Sequence, residues 1–222
     1  MLEFRSQSNT SMPISPEAQA NMDADRELLA RAEQGESGWR LYTWEEPALT
    51  LGMNQAPERD LLPGCPLGYA MRPTGGRAVL HGHDLTLGVA VPLSMLGLPE
   101  GTRSLTKTYT PIARWIIAAL RGCGVEACLG DDLPQAMMGG RSADCFAHVA
   151  GNDIVSPITR KKVCGCAQRI TERAILLQAS IPVREPWVDL TKIFAIPSSL
   201  PPNPVDEVAL RAALGTSAPR GE

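Results

Sequence analysis

The stretch RSADCFAHVAGNDIVSPITRKKVCGCAQR runs from Arg141 to Arg169. It sets Cys145-Phe146 ahead of a short apolar run, Asp153-Ile154-Val155, and then a turn at Pro157. A basic entry, Arg160-Lys161-Lys162, leads into a second extended run, Val163-Cys164-Gly165-Cys166-Ala167-Gln168-Arg169. A turn can fold the two segments together and bring a nucleophile, Cys145, near a carbonyl-polarising ammonium, Lys162. Only the thiolate attacks, so Cys145 needs positive charge or hydrogen-bond donors close by. The basic run is a candidate source of that field. On residue chemistry alone the commoner reading of Cys145 is as one of six small apolar fillers.

Working outward, Ala174 to Val183 returns as another strand, and Thr171-Glu172 suits a tight antiparallel connection. Upstream, Ser104 to Arg121 carries a helical stripe of Ile112, Trp115, Ile116, Ala119 and Leu120. Pro111 requires that helix either to begin there, with Thr110 as N-cap, or to kink. Val125 to Leu129 is a further strand candidate, and Asp131 to Gly140 a loop rich in methionine and glycine. Nearer the N-terminus, Trp39 to Trp44, Ala48 to Met53, Gly68 to Met71 and Leu85 to Val91 read as strands. Ser15-Pro16-Glu17 opens a helix, with serine as N-cap, proline at the first helical position and Gly35 as the stop. Residues 1–14 read as a flexible tail and 15–195 as one domain. Residues 196–222 form a proline-rich segment with a short helix after Asn203-Pro204, stopped at Gly215. The order helix, strands, helix, strands predicts a single α+β domain with a mixed, largely antiparallel sheet flanked by helices.

The 222 residues are enough for one domain with an ample core. A net charge of -3 argues against a nucleic-acid binder held by phosphate contacts, and no apolar run approaches a membrane span. Neither an apolar signal core nor an Arg-rich amphipathic leader opens the chain. A cytoplasmic location is the expectation, with the cysteines as thiols. No CxxC pair occurs, and Cys164-x-Cys166 lacks partners at zinc spacing, so no metal and no cofactor are expected.

In Arg72-Pro73-Thr74-Gly75-Gly76-Arg77-Ala78-Val79-Leu80-His81, the Gly75-Gly76 pair lets backbone approach a ligand closely. It is neither a Walker loop nor a dinucleotide fingerprint. Together with Pro47-Ala48-Leu49-Thr50-Leu51-Gly52 and Lys162 to Arg169, this stretch resembles the biotin/lipoate protein ligase superfamily. Gly75 to His81 and Cys145-Phe146 resemble most its octanoyltransferases of lipoate assembly, the LipM type.

That resemblance implies a two-step acyl transfer. An octanoyl group arrives as a thioester on acyl carrier protein, passes to Cys145, and is taken by a lysine of a lipoyl-domain protein. Glycine cleavage H protein or a dehydrogenase E2 subunit would be such an acceptor. Lys162 would polarise the acyl carbonyl, and Arg72, Gly75, Gly76, Arg77, His81 and Gly165 would bind substrate. Burying an octanoyl chain offers about 5–6 kcal/mol at roughly 0.8 kcal/mol per methylene. The chain departs from the family in places. Arg77 stands where ATP-dependent lipoate ligases carry a third glycine, and the biotin-ligase Gly-Arg-Gly-Arg signature is missing. Arg160 replaces a familiar glycine, and Cys166 stands where serine is frequent. An ATP-dependent lipoate or octanoate ligase, a lipoyl or octanoyl amidotransferase, and a non-catalytic acyl-carrier-binding relative stay open.

Overall fold

The computed structural model describes residues 12–133, 142–198 and 202–217. Most of the tail expected at 1–14, and most of the loop expected at Asp131 to Gly140, lie outside them.

Helix α1, Pro16–Glu33, starts as its sequence dictates: Ser15 Oγ accepts from Ala18 N at 3.2 Å, and proline fills the first turn. There follow β1 (Gly38–Tyr42), β2 (Leu49–Leu51), the one-turn α2 (Pro57–Asp60), β3 (Tyr69–Met71), β4 (Val79–Leu80) and β5 (Asp84–Pro92). Helix α3, Leu105–Gly122, is capped by Ser104 and runs through Pro111, so Thr110 caps nothing. Then come β6 (Cys128–Leu129), β7 (Ile154–Val155), β8 (Lys162–Ile170), β9 (Ala174–Pro182) and α4 (Glu207–Ser217). Gly215 lies inside α4 and does not stop it.

Six strands form one antiparallel sheet in the order β1-β5-β9-β8-β7-β6, and β3-β2-β4 form a small second sheet. Only the β2–β3 pair of these is parallel, so the expected mixed, largely antiparallel architecture holds. The expected Thr171-Glu172 connection closes a β8–β9 hairpin, with Thr171 N donating to Ala174 O at 2.9 Å.

Strand alternation gives the large sheet two unlike faces. Leu85, Leu87 and Val89 of β5, with Ile175, Leu177, Ala179 and Ile181 of β9, form the main core with α3 and α4. The intervening residues are small or polar: Asp84, Thr86, Gln178, Ser180, and from β8 Gly165 and Ala167. The first part of this second face looks toward the small sheet. Farther along, α1 covers it through Leu28, Leu29 and Ala32 against Ala90, Ala174 and Leu176.

Two boundaries read from sequence move. Tyr69 N donates to Pro13 O and Ser15 N to Tyr69 O, so residues just before α1 already run beside β3. The C-terminal segment is no appendage: Leu210 and Leu214 of α4 are fully buried in the main core, and Trp115 Nε1 donates to Leu214 O.

Candidate active site

Cys145 opens a one-turn 3-10 helix, Cys145–Ala147, at the edge of the small-residue face. Asp144 builds the turn: one carboxylate oxygen accepts from Phe146 N at 2.9 Å, the other from Ser198 N at 2.7 Å. Two backbone bonds, Cys145 N to Ala78 O and Ala78 N to Ala143 O, tie it to the chain just after the Gly-Gly pair. Gly165 of β8 supplies the floor. A Cβ there would lie 3.2 Å from Cys145 Sγ and 3.1 Å from the Phe146 ring, closer than side chains normally pack.

Lys162 meets this turn from the start of β8. Its Nζ donates to Cys145 O at 2.8 Å, lies 3.9 Å from Cys145 Sγ, and pairs with Asp153 Oδ2 at 2.9 Å. By simple alternation Lys162 would share a face with Cys164 and Cys166. A β-bulge intervenes: Ile154 pairs with Cys164 but the next residue, Val155, pairs with Lys162. The extra residue, Val163, lets both Val163 and Cys164 face the core and sends Lys162 to the Cys145 side.

The electrostatics oppose one another. Burial pushes the Cys145 thiol up, and the charges of Lys162 and Arg72 pull it back without overcoming burial. The positive field therefore comes from Lys162 and the buried Arg72 rather than from the basic run as a whole, and the resting group is a thiol. Burial works against the Lys162 charge, but Cys145 and Asp153 hold its pKa above the usual lysine value. Burial brings the Arg72 guanidinium down to about 10, which leaves it charged at neutral pH.

Arg72 organises the Gly-Gly turn from inside. It donates to Thr50 O at 2.9 Å, to Gly75 O at 2.7 Å and to Arg77 O. Gly76 has φ +87°, a conformation side chains rarely adopt, and a Cβ there would press on the Arg72 guanidinium at 3.0 Å. His81 is buried, stacked on Trp44 with ring centroids 4.1 Å apart. Its nitrogens meet Thr50 Oγ1 at 2.8 Å and Asp84 Oδ2 at 2.9 Å, and Asp84 also accepts from Thr86 and Ser180. Trp44, read from sequence as a strand end, thus leaves β1 to pack on the site.

Cys145, Arg72, Gly76, His81 and Gly165 line one narrow cavity between the two sheets. Its polar neighbours (Thr50, Thr86, Gln178, Ser180) spend their polar atoms on His81, Asp84, Thr74 and Asp25, so the wall they present is largely apolar. Gly75 borders an adjoining open cleft, and Arg77 contributes its carbonyl to Arg72. Asp153 is the residue that sequence reading passed over. In sequence it stands at the head of an apolar run, and the signal there is that an acid at a strand entry needs a partner once buried.

The lipoyl protein ligase A/B catalytic domain model matches residues 17–209. The chain belongs to that family. Among relatives, the octanoyltransferase LipM of Kyrpidia tusciae is 32% identical over 167 residues, covering 71% of this chain and 59% of that protein. That of Halalkalibacterium halodurans is 30% identical over 188 residues, covering 80% and 66%. The chain thus spans about six tenths of the length of the first of these relatives. Similar folds include lipoate-protein ligase A bound with ATP, with TM-score 0.66, 20% identity and coverage of 92% and 82%. Plasmodium falciparum LipL1 in complex with lipoate gives 0.64, 15%, 93% and 60%. Lys162 at the head of β8 and the Gly75-Gly76 turn both fall within the matched residues. No described helix is long and apolar enough to cross a membrane.

Proposed function

We propose that the protein is a cysteine-dependent octanoyltransferase, acting in the cytoplasm between octanoyl-acyl carrier protein and a lipoyl-domain protein. The observation that carries this reading is the Cys145 thiol 3.9 Å from the Lys162 ammonium at the mouth of an apolar-walled cavity. Similarity to LipM octanoyltransferases supports it.

In the first half-reaction the Cys145 thiolate attacks the carbonyl carbon of the donor thioester. The carrier's thiolate leaves and takes up a proton, and the acyl group rests on Cys145. In the second, a neutral lysine amine of the acceptor attacks the Cys145 thioester. The amide forms, the amine loses a proton and Cys145 thiolate is released. An ammonium has three donors. In the resting protein they meet Cys145 O, Asp153 Oδ2 and Cys145 Sγ, and the last of them passes from the sulfur to the oxygen that becomes negative in each tetrahedral intermediate. The hydrocarbon of the acyl group points toward the small-residue cavity bordered by Gly165 and its β9 neighbours Ala179 and Ser180.

Incubation with octanoyl carrier protein and an apo lipoyl domain, with and without ATP, tests the reading. Acceptor octanoylation without nucleotide, through a hydroxylamine-labile adduct on Cys145, is the expected result. Modification only from free octanoate plus ATP would replace the transferase with a ligase. An adduct on Cys166 would overturn the assignment of the nucleophile.

A further inference from the structure

The acyl site uses one face of β8, and the other face of the same strand carries two thiols without a role in it. Cys164 Sγ and Cys166 Sγ stand 3.6 Å apart, in the main core beside Tyr109. Tyr109 Oη is buried and without a hydrogen-bond partner among the described residues. Cys166 is partly exposed and borders an open cleft of about 650 Å³, together with Tyr109, Gly75 and Gly151. Cys164 is fully buried behind it. The neighbouring Cys166 thiol and burial together push Cys164 well up, so it waits as a thiol.

We propose that Cys164 and Cys166 are an oxidisable dithiol, a modification site for a small hydroperoxide that switches the acyl site off. Hydrogen peroxide, the simplest such oxidant, enters the cleft and one of its oxygens is taken by Cys166 sulfur, giving a sulfenic acid and releasing water. Cys164 sulfur then attacks Cys166 sulfur, forming the disulfide and expelling a second water. The two thiols together lose two hydrogens and two electrons, and the peroxide is reduced to two waters. A thiol donor reverses the change by exchange.

The consequence for the acyl site follows from strand geometry. Residues two apart in a strand have Cα atoms about 6.6–6.8 Å apart. Disulfides favour roughly 5.5–6 Å. Closing the bond therefore shortens β8 by about 1 Å, and the residue that must move is Gly165, between the two cysteines. Gly165 is the floor beneath Cys145 and Phe146, which leave little room over it for even a side-chain carbon. Displacing it shifts the nucleophile from its ammonium, and misplacement on that scale typically costs on the order of a hundredfold in rate. The strain also makes the disulfide easy to reduce, as a reversible switch requires.

The switching half of this proposal rests on the transferase reading, and the modification half does not, so the test reads them separately. The full-length protein is first loaded with octanoyl carrier protein, which blocks Cys145 as its thioester, and is then treated with hydrogen peroxide. Peptide mapping should find the Cys164–Cys166 peptide short of two hydrogens. Single-turnover transfer to an apo lipoyl domain should fall on the order of a hundredfold and return with dithiothreitol. Cys164→Ala and Cys166→Ser should both lose the two-hydrogen change and keep their transfer rate after peroxide. Absence of the disulfide in wild type overturns the site. A disulfide that leaves transfer unchanged, or equal reversible loss in the two variants, overturns the switch. Failure of Cys145 to load overturns the transferase reading, while the mapping of unloaded protein still decides the dithiol.

Discussion

Lys162 does two things at once, and its replacement separates them badly unless a second residue changes with it. Its charge lowers the Cys145 thiol pKa against the upward push of burial. Lys162→Met therefore moves the Cys145 pKa further up, and the rise of the acylation rate with pH, which follows formation of the thiolate, shifts to higher pH. Loss of one such donor to a developing oxyanion costs about a hundred- to a thousandfold in rate. Methionine also strands the buried Asp153 carboxylate, and removing one partner of a buried pair costs about 3–5 kcal/mol. The double variant Lys162→Met/Asp153→Asn should recover most of the stability in urea unfolding and none of the rate. Recovery of rate in the double variant would show that Lys162 acts only by holding the fold.

At the scale of the element, the turn between β7 and β8 carries a cost that one residue sets. Arg160 has φ +56°, in a turn closed by Ser156 N to Lys161 O and Arg160 N to Ser156 O. Glycine takes this left-handed backbone without steric cost, and arginine does not. Arg160→Gly relieves strain worth roughly 1–2 kcal/mol, of which the greater freedom of glycine in the unfolded chain takes back about 0.5–1. A gain of up to about 1.5 kcal/mol in unfolding free energy is expected from that difference, with transfer unchanged. A loss of stability would mean that the Arg160 side chain contributes more than its backbone costs.

What the sequence made legible follows the same line between local and distant causes. Ser15-Pro16 states where α1 begins, and the alternation in Leu85 to Val91 and Ala174 to Val183 states the two central strands, because each signal is contained within a few residues. That Cys145, Lys162, Arg72 and the Gly-Gly pair gather in one place follows from motif order. The bulge at Val163 was not, since it is a property of pairing with β7. Nor was the turn of Trp44 onto His81, nor the claim of Asp153 on Lys162, because in both cases the partner lies far along the chain. Pro111 misled for the opposite reason. A local breaker was overridden by a helix whose Ile112, Ile116 and Leu120 bury completely.

For the molecule as a whole, the large sheet separates two duties. Its odd-numbered face on β5 and β9 packs on α3 and α4, and its other face borders the cavity. Leu210 of α4 belongs wholly to the first. Leu210→Ala should cost about 2–5 kcal/mol, as buried leucines do, and leave the transfer rate of the folded fraction unchanged. Urea unfolding and a titrated active-site count would check both halves. A fall in rate per folded molecule would mean that the packing behind the sheet is felt at Cys145.

The hydrogen bond from Lys162 to the carbonyl of Cys145 itself has a kinetic consequence. Under the proposed transfer, the enzyme meets two protein partners in turn, and the first must leave before the second arrives. The cation is tethered to the residue that carries the acyl group, so the distance between them does not depend on which partner is docked. Both half-reactions then run through the same clamp, and nothing needs to be rebuilt in the interval. The acyl-enzyme can wait for its acceptor with the machinery of the second step already in place.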